Sequence, residues 1–191
     1  MNLGFNDFWP TTFYRGKVED DKILEDLANQ FFSISNFDKD YSEKNNFNLF
    51  DLKTESILKF KNEIVYPTFK LYLNEIFNQN IDDFGYKIKA WFNQSSLPSH
   101  NHSGAHLSAV FYILCSDRTE EGNIIFTDPR SNSNRGYPLS FQNIFKPVIY
   151  QPVMGDFVVF PSFVYHYVGA CTSTHRLCVP VDLFLENKKV K

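Results

Sequence analysis

The sequence predicts an α+β protein, with helices early in the chain and an antiparallel β-barrel or sandwich after them. Three observations carry this expectation. Two stretches before Phe84 place apolar residues at helical spacing. Beyond Phe84 the chain breaks into short runs rich in β-branched and aromatic residues, parted by turn-formers. No helical pattern lies between those runs, so the strands are expected to pair antiparallel rather than through helical crossovers.

The elements follow in order. "FWPTTFYRGKV" reads as a short strand, and Pro10 marks it for a sheet edge because proline cannot donate to a ladder. "EDDKILEDLANQFFSI" sets Ile23, Leu24, Leu27, Phe31 and Phe32 on a helical stripe, with Asp20 and Asp21 near its start. "DKDYSEKNNFNLFDL" is polar and without period, and reads as loop. "KTESILKFKNEIVYPTFKLYLNEIFN" is helical again, with Pro67 expected to kink or split it. The strand candidates are "YKIKAWFN", "HLSAVFYIL", "NIIFTDP", "KPVIYQPV", "GDFVVFPS", "HYVGACT" and "RLCVPVDLFLE". The helices are expected to pack on one outer face of the sheet. One domain over 1–191 is expected, with 1–83 as N-terminal strand and helical support and 84–187 as the β core.

Composition narrows the function. Hydrophobic residues make up 43% of 191 and aromatics 17%, enough for one substantial core and against disorder over most of the chain. A formal charge of −3 gives no general basic surface, so a nucleic-acid partner is not favoured. The three cysteines, Cys115, Cys171 and Cys178, lack CxxC spacing, which argues against a disulfide scaffold or zinc ribbon. The first residues show no basic start followed by an apolar run, and no stretch reaches membrane-spanning length. A soluble, cytoplasmic protein without a membrane partner is expected.

The chemistry concentrates in "LPSHNHSGAHLSAVFYIL", which holds three of the chain's five histidines. In an extended chain, His100 and His102 project to the same face and can converge on one ion. His166, at the start of a later strand, can close a facial set that leaves metal positions open. Arg176 follows ten positions on, entering an apolar strand, where a cation calls for an anion unless it reaches solvent at the strand end. His106 shares the parity of His100 and His102 if the chain stays extended, although Gly104 favours a turn. A four-histidine site of His100, His102, His106 and His166, as in the cupins, is the alternative. A third reading is a non-catalytic binding module stabilised by a zinc–histidine cluster.

The order HxH, an apolar strand with tyrosine, a glycine-led strand, "GDFVVFPSFVYH" and then Arg176 resembles the 2-oxoglutarate- and Fe(II)-dependent oxygenases. It looks closest to the prolyl-4-hydroxylase-like branch of bacteria and phages, over roughly Phe84 to Glu186. The resemblance implies a double-stranded β-helix (jelly-roll) core and a non-heme iron hydroxylase using Fe(II), O2 and 2-oxoglutarate as a small-molecule cosubstrate. It also implies an unidentified substrate, with a prolyl residue in a peptide or protein as the first candidate, and a host-cytoplasm setting if the chain is viral. His100 and His166 would be iron ligands. His102 stands where the family usually has a carboxylate, which leaves the ligand set one negative charge short. No acidic residue lies between Leu97 and Cys115 to supply it.

Arg176 would bind the distal carboxylate of 2-oxoglutarate. Tyr112 would support it or be a core tyrosine, and Asn93 would line the pocket or start a turn. His106 is kept as a pocket residue, and His175 is expected to face away. Asp128 and Arg130 sit in a polar loop that either closes over substrate or is a solvated turn with Asp128 capping the backbone.

Overall fold

The computed structural model describes residues 10–35, 47–115, 121–130, 147–171 and 176–188. Among the described residues nine strands form two antiparallel sheets: β1 (Tyr14–Lys17), β2 (Phe84–Ala90), β3 (Leu97–His100), β4 (Leu107–Leu114), β5 (Ile124–Phe126), β6 (Val148–Tyr150), β7 (Asp156–Pro161), β8 (His166–Val168) and β9 (Leu177–Asn187). The larger sheet runs β1-β7-β4-β9-β2 and the smaller β3-β8-β5-β6. The expected jelly-roll on an α+β plan is the architecture found. β1 is an edge strand, as Pro10 just before it suggested. β3 is an addition, since the sequence there reads as loop.

The helices are α1 (Asp21–Ser35), α2 (Glu55–Lys59) and α3 (Tyr66–Phe77). Asp20 begins α1, its carboxylate accepting the Ile23 amide at 3.1 Å. Pro67 does not split the second helical stretch. A π-helical turn, Phe60–Val65, joins α2 to α3 immediately before it, and the Tyr66 amide donates to the Lys61 carbonyl five residues back. Proline lacks the N–H that the Glu63 carbonyl would receive, and a widened turn absorbs that mismatch without ending the helix.

The central strands of the larger sheet are buried on both faces. Leu107, Ala109, Phe111 and Ile113 of β4, with Leu177, Val179, Val181 and Leu183 of β9, pack with Leu27, Phe60 and Phe69 from the helices. The alternate residues Val110, Tyr112, Cys178, Val158 and Phe160 meet Ile124 and Phe126 of the smaller sheet. This second cluster is the jelly-roll interior, and the functional residues lie around it. No described helix is long and apolar enough to cross a membrane.

Candidate metal centre

The pairing of β3 with β8 makes His100 and His166 direct cross-strand partners. His102 follows two residues on, its amide donating to the Ser162 carbonyl at 3.1 Å. One nitrogen from each of the three rings lies within 4.8 Å of the others. The ring centroids are 4.4 Å apart for His100 and His166, 5.3 Å for His100 and His102, and 5.2 Å for His102 and His166.

The second nitrogen of each ring decides what the first can do. His100 Nδ1 is 2.7 Å from the Pro98 carbonyl, His166 Nδ1 is 3.1 Å from the Val164 carbonyl, and His102 Nδ1 is 2.9 Å from Asp182 Oδ2. Carbonyl and carboxylate oxygens only accept, so each Nδ1 carries a proton, and Nε2 is the atom each ring has left to offer a metal. His166 is 3% exposed. Burial, reinforced by the neighbouring His100 and His102, lowers its pKa from 6.5 to about 4, so it is neutral at physiological pH. Three imidazoles converging with Nδ1 already committed suit a borderline divalent transition metal.

Asp182 is the residue the sequence reading missed. It lies on β9 opposite Ser108 of β4, and both of its oxygens are within 2.9 Å of His102 Nδ1. Ser108 Oγ donates to Asp182 Oδ1 at 2.7 Å and is itself 2.8 Å from Ser162 Oγ. Trp91 stacks on His102, with centroids 5.7 Å apart. The signal available in the sequence was parity, because Asp182 shares the alternation of Arg176 along β9.

His106 stands outside the cluster. Gly104 has φ +87, which turns the chain between His102 and His106. His106 Nδ1 then accepts the Leu185 amide at 3.1 Å, and the His106 amide donates to the Leu183 carbonyl at 2.8 Å.

Arg176 lies beside the interior cluster, 3% exposed. Its Nε donates to the Gly122 carbonyl at 3.2 Å and its Nη1 to Asn93 Oδ1 at 3.0 Å. Gly122 has φ +70, and a Cβ there would fall 2.4 Å from Arg176 Cδ, so only glycine leaves room for the arginine stem. The guanidinium sits 6.0 Å from the Tyr112 ring centroid. The Tyr112 hydroxyl is buried without a hydrogen-bond partner, and burial raises its pKa well above 10, so it stays a neutral donor. Among the described residues no carboxylate pairs with Arg176. A buried cation held by neutral oxygens, next to an orphaned hydroxyl donor, calls for an anion.

Asp128 and Arg130 pair with each other after β5. Asp128 Oδ1 accepts the Arg130 amide at 3.0 Å and its Nε at 2.9 Å, the capped-turn arrangement. The remainder of that loop, 131–146, and His175 lie outside the described residues.

Residues 89–182 match the family model described as "Putative 2OG-Fe(II) oxygenase". No curated protein matches the sequence significantly. Among solved structures, the chain resembles a prolyl-4-hydroxylase from Pseudomonas putida at 13% identity and TM-score 0.58, covering 93% of this chain and 88% of that one. It resembles AviO1 from Streptomyces viridochromogenes Tue57 at 9% identity and TM-score 0.62, covering 95% and 92%. HygX from Streptomyces hygroscopicus, solved with nickel and 2-oxoglutarate bound, is 11% identical with TM-score 0.58, covering 91% and 82%. At these identities the structural likeness is one of fold.

Proposed function

We propose that this chain is a 2-oxoglutarate- and Fe(II)-dependent oxygenase, the family whose model matches residues 89–182, in which His100, His102 and His166 hold Fe(II) and Arg176 holds 2-oxoglutarate. The observation that carries the reading is the convergence of three imidazoles, each with Nδ1 committed to an oxygen acceptor, in a barrel that also buries Arg176 with no carboxylate partner among the described residues. When bound, iron with 2-oxoglutarate and O2 would supply the oxidising chemistry: 2-oxoglutarate loses CO2 and takes one oxygen atom to become succinate, and the other oxygen atom is inserted into a C–H bond of the substrate.

The protein's own contributions are placement and exclusion of water. Arg176 neutralises the distal carboxylate through its guanidinium, whose orientation Asn93 and the Gly122 carbonyl fix. The Tyr112 hydroxyl donates to the same carboxylate, which satisfies its orphaned proton. Val110, Val158, Phe126 and Phe160 keep the interior dry.

As substrate we propose a peptidyl proline, in keeping with the fold shared with the Pseudomonas putida enzyme. Phe163 and Tyr165, exposed just before His166, offer apolar contact for such a segment. The three cysteines, none of them in a disulfide, accord with a cytoplasmic setting. The test is succinate release and O2 uptake by the Fe(II)-loaded protein, with and without a panel of proline-containing peptides. Stimulation by a peptide supports both levels of the proposal, and uncoupled turnover alone supports the cosubstrate chemistry. No succinate under any condition contradicts the reading.

A further inference from the structure

We propose that Asp182 is a positioning residue that supplies, through His102, the negative charge this all-histidine ligand set lacks, and fixes that ring with Nε2 toward the ion. The inference rests on the iron site proposed above. His102 occupies the place where the family pattern has a carboxylate, so the direct ligands carry no charge. A carboxylate nevertheless reaches the same corner from β9, and both its oxygens lie within 2.9 Å of His102 Nδ1.

The burial of this group requires an explanation. Asp182 is 6% exposed, and Ser108 and Ser162 are each 1% exposed. Three polar side chains are thus buried at the margin of an otherwise apolar interior. Their hydrogen bonds have one consistent direction. Ser162 donates to Ser108, Ser108 donates to Asp182 Oδ1, and His102 Nδ1–H donates to the carboxylate. Among the described residues no lysine or arginine pairs with Asp182. A carboxylate buried this deeply with only neutral donors is costly, and a cation beyond the imidazole offsets that cost.

The same arrangement fixes the ring. With Nδ1 donating to Asp182 and Trp91 stacked on one face, only one tautomer and one orientation of His102 remain. His100 and His166 have backbone carbonyls in the corresponding place, so the charged partner is specific to His102, the ligand that departs from the family pattern.

The experiment uses the full chain and three proteins: wild type, Asp182→Asn and Ser108→Ala. Asparagine keeps an oxygen for His102 Nδ1–H, removes the charge, and presents an NH2 donor to Ser108 in place of the second acceptor. Serine-to-alanine keeps the charge and removes one donor to it. Each protein is titrated with Co(II), whose visible bands report the ligand set, and the Fe(III)/Fe(II) potential of the iron-loaded form is measured. Melting of the metal-free proteins reports structural damage separately.

The expected result for Asp182→Asn is Co(II) affinity weaker by about 10- to 100-fold with an unchanged band envelope, and a potential that rises because a nearby negative charge is gone. Ser108→Ala should show a smaller loss in the same direction. Equal affinity and potential in wild type and Asp182→Asn would overturn the inference while leaving the iron site intact. Should the asparagine variant not fold, Ser108→Ala decides: weaker binding supports the role, and unchanged affinity and potential overturn it. If wild type binds neither Co(II) nor Fe(II), the iron site itself is contradicted.

Discussion

The two faces of the larger sheet are built from the same strands and do different work. On β4, Leu107, Ala109, Phe111 and Ile113 turn to the helices, while Ser108, Val110 and Tyr112 turn to the jelly-roll interior. On β9, Leu177, Val179, Val181 and Leu183 turn to the helices, while Cys178 and Asp182, with Arg176 just before the strand, turn inward. The helix face is wholly apolar. The inner face mixes apolar packing with a cation, an acid and an orphaned phenol. Because the strand repeat is two residues, neighbouring positions separate stability from chemistry, and a substitution should damage one or the other according to parity.

The largest effect that can break this comparison lies on the helix face. Phe111 is fully buried, its ring centroid 5.1 Å from that of Phe60 and 5.3 Å from that of Phe157. Phe111→Ala should cost about 3–5 kcal/mol of folding stability, read by denaturant unfolding, and leave metal affinity unchanged where the protein is folded. A matching loss of metal affinity would show that the faces are not separable.

Next is the pH dependence of the metal-free protein. His166 titrates at about 4 when folded, because burial disfavours its charged form, and at about 6.5 when unfolded. Between these values the unfolded chain holds the extra proton, so stability falls as pH drops from 6.5 to 4, by about 3 kcal/mol in all. Above 6.5 the contribution is complete. His166→Gln should flatten this part of the profile, and an unaltered profile in that variant would contradict the assignment.

On the inner face, Arg176→Lys should weaken 2-oxoglutarate binding by about 10- to 100-fold, the worth of charge-assisted hydrogen bonds that a lysine cannot make in pairs. Iron affinity should not change. The smallest effect is Gly122→Ala. Its Cβ would meet the Arg176 stem at 2.4 Å and its φ of +70 disfavours a side chain, so about 1–2 kcal/mol of cosubstrate binding and stability should be lost together. Cosubstrate affinity equal to wild type would show that Arg176 has room to shift.

The α+β plan, both helical stretches and eight of the nine described strands were legible in the sequence, because their apolar periods are strong. β3 was not, since "LPSH" pairs through its backbone while its side chains are mostly polar or exposed. Pro67 was legible as a perturbation, but its resolution as a π turn depends on helix packing that sequence periodicity does not report. Parity brought His100 and His102 together on paper. The turn at Gly104, with φ +87, removes His106 from that alignment. Asp182 escaped because the search for a carboxylate stopped at sequence neighbours, whereas β4–β9 pairing sets it opposite Ser108. Parity with Arg176 along β9 was the available clue.

The most direct test of the account is an anaerobic titration of 2-oxoglutarate into the Fe(II)-loaded protein, followed by visible absorption. The account predicts a chelate band that saturates at one equivalent in wild type and needs far more cosubstrate in Arg176→Lys. Iron bound without any chelate band, or a band indifferent to Arg176, would contradict it.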